Sequence, residues 1–208
     1  MRYPNLNEEK KLWKSGYKYV VGLDEAGRGP LAGPVVAGAV MLKNYKFQIS
    51  NFKFLKEMRG VKDSKKLSAR KREEIYEVLT NHPAIEWGVG RVSEKIIDKI
   101  NILEATKLAM IIAIKKFKVD FLIIDGNFKI KKDIPQKSII KADAKVFSCA
   151  AASIIAKVTR DRIMEKEHRK YPKYNFAKHK GYPTKEHYKA IRKNGCCKIH
   201  RKTFRLEN

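Results

Sequence analysis

The chain has 208 residues, with 47 lysines and arginines against 22 aspartates and glutamates, a formal charge of +25. That length suits one domain, and 43% hydrophobic residues with 10% aromatics are enough for a packed core, so disorder is excluded as the overall state. The longest uncharged apolar run, 31–42, is too short to cross a bilayer, residues 1–17 are too polar for a secretory signal, and Cys149, Cys196 and Cys197 build no disulfide framework, so a reducing, cytoplasmic setting is expected.

In chain order, 5–16 predicts a short helix ended by Gly16, and 17–23 (YKYVVGL) a strand with an apolar end. A glycine-rich turn at 24–33 leads to a valine- and alanine-rich strand at 35–42, and 45–62 gives no clear element. A charged amphipathic helix spans 68–81 with Ser68 as its N-cap, and 84–92 alternates as a strand does. Two helices follow, 93–100 and 102–118, then a short buried strand at 121–124 and another at 138–141. The longest helix is placed at 144–166, and Thr184 caps a last one over 184–193. Strands first and then alternating helices and strands argue for an α/β domain, a mixed sheet with helices on its faces.

A charge of this size attracts polyanions, nucleic acid above all, although lysines that only solvate the surface would give the same count. The few acids are more telling. Asp24-Glu25 follows VVGL, Asp125 follows FLII and Asp143 follows SIIKA, so each sits at or just past the end of a short apolar strand. Strand ends are where α/β sheets open a crevice for ligands. For any one of these acids a helix cap or turn is the ordinary explanation. If the strands are neighbours, the four carboxylates converge and repel, and a divalent cation relieves that repulsion. Hard oxygen ligands suit Mg²⁺ or Mn²⁺, and a pair of such ions can activate water against a phosphodiester.

Three further motifs bear on a nucleic-acid partner. Gly27-Arg28-Gly29 lacks the spacing of a dinucleotide fingerprint and precedes a strand, so it is either a tight turn or a place where backbone approaches a sugar or phosphate. Lys65 lies in DSKKLS, just before a helix start, where a phosphate contact and a solvated loop are equally open. Tyr182 stands between basic residues before an N-cap, and either stacks on a sugar or base or packs under the C-terminal segment. Cys196-Cys197 with His200 lacks zinc-ligand spacing.

These pieces resemble a known family. GLDEAGRGPLAGPVVAGAV, KDSKKLS, IIDG, KADAK, AAASIIAKVTRD, HKGYPTKEHY and IHRKTF occur here in the order found in bacterial ribonuclease HII, across nearly the whole chain. The resemblance implies an RNase H-like fold, a mixed five-stranded sheet flanked by helices with a helical C-terminal region. It implies a single domain over 1–208, with a core of 17–168 and a substrate-contacting part at 169–208. The implied activity is endonucleolytic cleavage of RNA in RNA–DNA hybrids and at ribonucleotides embedded in duplex DNA. The cut falls 5′ of the ribonucleotide, depends on Mg²⁺ or Mn²⁺, and leaves 3′-hydroxyl and 5′-phosphate ends. The implied two-metal acids are Asp24, Glu25, Asp125 and Asp143. Gly27, Arg28 and Gly29 would sense the ribose 2′-hydroxyl, Tyr182 would stack on the following deoxyribose, and Lys65 would lie near the substrate backbone. A monomer without membrane attachment is expected. Cys149 and Ala142 depart from the residues usual at their positions, and the Cys196-Cys197 pair is no feature of the family. A non-catalytic basic binding protein would explain the charge but not the acids, and a Rossmann-type enzyme would require a different glycine spacing.

Overall fold

The structure is a computed structural model and describes residues 4–43, 58–61, 64 and 67–205. The elements are α1 (Asn7–Lys14), β1 (Val20–Ala26), β2 (Val35–Leu42), α2 (Ala69–Asn81), β3 (Ile85–Val92), α3 (Glu94–Ala113), β4 (Phe121–Asp125), β5 (Gln136–Ile139), α4 (Phe147–Lys170), α5 (Phe176–His179) and α6 (Lys185–Asn194). Short 3₁₀ turns occupy Met58–Gly60, Ala142–Ala144 and Pro172–Tyr174.

One five-stranded sheet runs in the order β3-β2-β1-β4-β5. β1 pairs antiparallel with β2 and parallel with β4; β2–β3 is antiparallel and β4–β5 parallel. This is the mixed sheet expected from the order of elements. Alternation along β1 divides the core between the two faces. Val20 faces α4, α2 and α1, whereas Val21 and Leu23 face α3. The Ser148–Ala152 stretch of α4 lies directly on the strand backbones. A methyl group at Gly22 would sit 2.3 Å from Ser148 Oγ, and one at Gly38 would sit 2.2 Å from the Ala152 carbonyl oxygen. That close approach centres α4 over β1 and β2, with small residues on both sides of the contact.

Several boundaries differ from expectation for physical reasons. β1 runs three residues beyond Leu23, because β2 continues to pair with it: Asp24 lies opposite Gly38 and Glu25 opposite Ala37. The first two acids are therefore inside a strand rather than past its end. β5 begins at Gln136, whose side-chain amide donates to the Ile130 carbonyl, and it ends before Lys141, which adopts a left-handed φ of 56°. The 3₁₀ turn at Ala142–Ala144 then delays α4 to Phe147. The expected break between two helices falls at Asn101 (φ 64°), within α3, where its Oδ1 accepts from the Leu103 and Glu104 amides. α3 ends at Ala113 rather than 118. The unassigned stretch 45–62 and Lys65 lie outside the described residues, apart from Met58–Val61. No described helix is long and apolar enough to cross a membrane.

Candidate active site

Strand pairing alone places two of the acids together. Leu23 of β1 is in register with Ile124 of β4, so Asp24 and Asp125 are side by side on adjacent parallel strands. From Asp125 the sheet continues to Ile139 of β5, and the chain then reaches Asp143 in the 3₁₀ turn. Carboxylate oxygens of Asp24, Asp125 and Asp143 all lie within 4.8 Å of one another. Asp24 and Asp143 are each only 4% exposed.

Backbone amides hold two of these carboxylates. Asp24 Oδ1 accepts from the Glu25 amide at 2.7 Å, and Asp125 Oδ1 accepts from the Ala142 amide at 2.7 Å. The second bond ties the end of β4 to the turn that carries Asp143. Burial first, and then the Glu25 and Asp125 charges, pushes the Asp24 carboxyl well above its ordinary range, while the Ser153 hydroxyl beside it favours the charged form. Three carboxylates packed this closely in a buried site make a donor set of hard oxygens, without histidine or cysteine, that fits a divalent cation such as Mg²⁺ or Mn²⁺.

Glu25 is not part of this group of three. Its charge still acts on Asp24, and its Oε1 lies 3.6 Å from Arg28 Nη1. Arg28 also spans the Phe128 ring at 5.9 Å. Gly27 has φ 100°, and a methyl group there would lie 2.1 Å from Arg160 Nε. Gly29 faces the C-terminal part of the chain: a methyl group on it would be 4.0 Å from Tyr182 Cε1. Tyr182 is 38% exposed, with Arg160 and Lys157 at 5.7 and 5.8 Å from its ring. The glycine-bounded turn and the tyrosine, 155 positions apart at Gly27 and Tyr182, thus meet at one edge of the site.

Two residues that no motif argument singled out hold this edge together. Arg201 is fully buried and donates to the carbonyls of Gly27 (2.6 Å), Arg28 (3.0 Å) and Gly33 (2.9 Å). Arg160, also fully buried, donates to the carbonyls of Ala32 (3.1 Å), Pro34 (2.9 Å) and Lys180 (3.0 Å). Burial lowers their basicity to about 9 and about 10 respectively. The sequence did carry a signal for Arg160: it lies seven residues after Ser153 and four after Ala156, on the helix face that packs against the sheet. Ser64, in the DSKKLS stretch, has a structural partner that the motif does not reveal. Its hydroxyl lies 2.9 Å from that of Ser153, linking the start of the α2 segment to the residue beside Asp24. The cysteine pair divides: Cys196 is exposed, and Cys197 Sγ lies 3.1 Å from His200 Nδ1.

The family model for ribonuclease HII matches residues 21–207. A ribonuclease HII of Acetivibrio thermocellus is 52% identical over 198 residues, 94% of this chain and 73% of that protein. A ribonuclease HII of Syntrophus aciditrophicus is 49% identical over 203 residues, 96% of this chain and 90% of that protein. The crystal structure of the ribonuclease H2 of Pyrococcus horikoshii matches with a TM-score of 0.71 at 30% identity, over 90% of this chain and 94% of that one. Sheet order, clustered carboxylates and this likeness define an RNase H-like hydrolase. Within that class, the chain belongs to the ribonuclease HII family and is a ribonuclease H, an endonuclease.

Proposed function

We propose that this enzyme cuts the RNA strand of RNA–DNA hybrids and single ribonucleotides embedded in duplex DNA, on the 5′ side of the ribonucleotide. The products are 3′-hydroxyl and 5′-phosphate ends. One observation carries this reading: the three-carboxylate cluster lies at one end of the short segment 24–29, and at the other end Gly29 approaches Tyr182, whose Cε1 would lie 4.0 Å from a methyl group on that glycine. Chemistry and sugar recognition are therefore within one nucleotide's reach of each other.

The 2′-hydroxyl is what separates RNA from DNA at a given nucleotide. Gly27, Arg28 and Gly29 bring backbone to that hydroxyl; Gly27 is required there by its φ of 100° and by Arg160, whose Nε would lie 2.1 Å from an added methyl group. Tyr182 stacks its half-exposed ring on the next deoxyribose, so the site is selective for a ribose-to-deoxyribose junction. Asp24, Glu25, Asp125 and Asp143 hold the cations, with Glu25 contributing from the rim beside Arg28. Mg²⁺ or Mn²⁺ held by these residues would supply water activation and charge neutralisation for phosphodiester hydrolysis. The Glu25 and Ala142 amides keep the Asp24 and Asp125 carboxylates aimed before substrate arrives. Lys65 contributes a contact to the substrate backbone.

Asp125→Asn tests the site directly. The substitution keeps the shape and the Ala142 hydrogen bond but removes a charge. Cleavage of a labelled hybrid should fall by at least about a thousandfold, a few kcal/mol of lost charge stabilisation. Binding of the same hybrid should change by less than about threefold. Near-wild-type cleavage by this variant with Mg²⁺ would remove the carboxylate cluster from the chemistry.

A further inference from the structure

We infer that Arg201 is a positioning residue, the part of the fold that aims two backbone amides at the ribose 2′-hydroxyl, with Arg160 fixing Tyr182 beside them. This rests on the function proposed above and extends it to residues that do not touch substrate.

The inference follows from peptide geometry. Every peptide bond among the described residues is trans, so a residue's carbonyl and the next residue's N–H point in opposite directions. Arg201 draws the Gly27 and Arg28 carbonyls inward, to Nη2 at 2.6 Å and Nη1 at 3.0 Å. The N–H groups of Arg28 and Gly29 must then point outward, away from Arg201. Two consecutive outward amides form a concave donor pair suited to an oxygen acceptor. Only a planar fork can hold these carbonyls while its Nε takes a third, that of Gly33.

Arg160 works on the other leg of the same loop. It holds Ala32 and Pro34 and reaches across to the Lys180 carbonyl, two residues before Tyr182. The Leu31 amide adds a bond to the Gly181 carbonyl at 2.8 Å, and the Arg201 amide adds one to the Leu31 carbonyl at 2.8 Å. Neither guanidinium has a carboxylate within ion-pair distance among the described residues. Burying a cation without a counter-charge is costly, and here only carbonyl acceptors offset that cost. What the guanidiniums supply instead is orientation: loop, amides and tyrosine become one rigid unit.

The experiment compares two duplexes, one all-DNA and one with a single ribonucleotide, in an Asp125→Asn background so that substrate survives. Arg201→Lys retains the charge but lacks the fork. It should lower the binding preference for the ribonucleotide duplex by about fivefold to tenfold, the worth of one or two hydrogen bonds, with all-DNA affinity unchanged. In an otherwise wild-type chain the same substitution should lower kcat on the ribonucleotide duplex. An unchanged preference in a folded Arg201→Lys protein overturns the inference.

Amide hydrogen exchange on the unsubstituted Asp125→Asn protein covers the case in which Arg201→Lys does not fold. The Arg28 and Gly29 amides should exchange fast in the free protein and become protected by the ribonucleotide duplex but not by all-DNA. Equal protection by both duplexes, or none, overturns the inference as well. Failure of the wild-type enzyme to cut the ribonucleotide duplex would instead remove the proposed function on which it rests.

Discussion

Asp24 shares a buried pocket with Asp125 and Asp143, and that crowding sets what the site needs in order to work. Its neighbours are supplied by strand register and one tight turn, so no side chain has to search for its place. Tyr182 is different in kind. It is partly exposed, held by backbone hydrogen bonds and flanked by Arg160 and Lys157 near its ring. Tyr182→Ala should therefore lower cleavage at a single embedded ribonucleotide by about tenfold to a hundredfold, in line with the stacking energy of one nucleotide. Affinity for plain duplex should fall far less. Equal losses in the two assays would take the junction-reading role away from this residue. Among residues, the acids were legible in the sequence because an acid after an apolar strand is conspicuous in a lysine-rich chain. The role of Arg201 was not legible: IHRKTF entered only as one of the pieces that carry the resemblance, and the return of the C-terminal segment to Leu31 and Gly33 is what buries it.

Helix α1 shows how an element far from the cluster in sequence is docked against the site's supporting helix. Its Glu9 is 1% exposed, and its Oε1 accepts from the Ser148 amide (2.9 Å) and hydroxyl (2.8 Å) at the start of α4. Burial outweighs those two bonds and lifts its carboxyl from 4.5 to about 7. The folded state thus keeps the proton to higher pH than the unfolded chain does. Stability from this group is present below pH 4.5 and is lost as pH rises through 7. Glu9→Gln, which cannot ionise, should gain on the wild type by about 2 to 3 kcal/mol between pH 5 and pH 8 in urea unfolding. A constant difference across that range would contradict the burial of a protonated Glu9. At this scale the sequence was a good guide wherever local chemistry decides. Ser68 and Thr184 cap their helices by accepting from Lys71 and His187 amides, and Asn101 breaks α3 where the apolar spacing falters. It misplaced elements whose limits depend on a partner: β1 outlasts its apolar run because β2 offers Ala37 and Gly38 opposite Glu25 and Asp24. The four-residue α5, inside a buried aromatic and histidine layer, has no periodicity to detect.

The whole molecule combines a small buried anionic centre with a strongly cationic exterior. In the proposed function the formal charge of +25 would draw a duplex in, and cations held by the cluster would supply the hydrolytic chemistry. Hybrid binding should accordingly weaken by at least about tenfold between 50 and 200 mM salt, as released counterions are restored. A salt-independent affinity would mean that the surface lysines do not contact the backbone. Composition alone pointed to a polyanionic partner, but the distinction between a binder and a nuclease came from where the acids sit. The most direct test of the account is gel cleavage of a DNA duplex with one embedded ribonucleotide, with Mg²⁺, Mn²⁺ or EDTA and beside an all-DNA control. The account predicts a single cut on the 5′ side of the ribonucleotide with either metal, no product in EDTA and an intact control. An uncut ribonucleotide duplex, or equal cutting of the control, would contradict it.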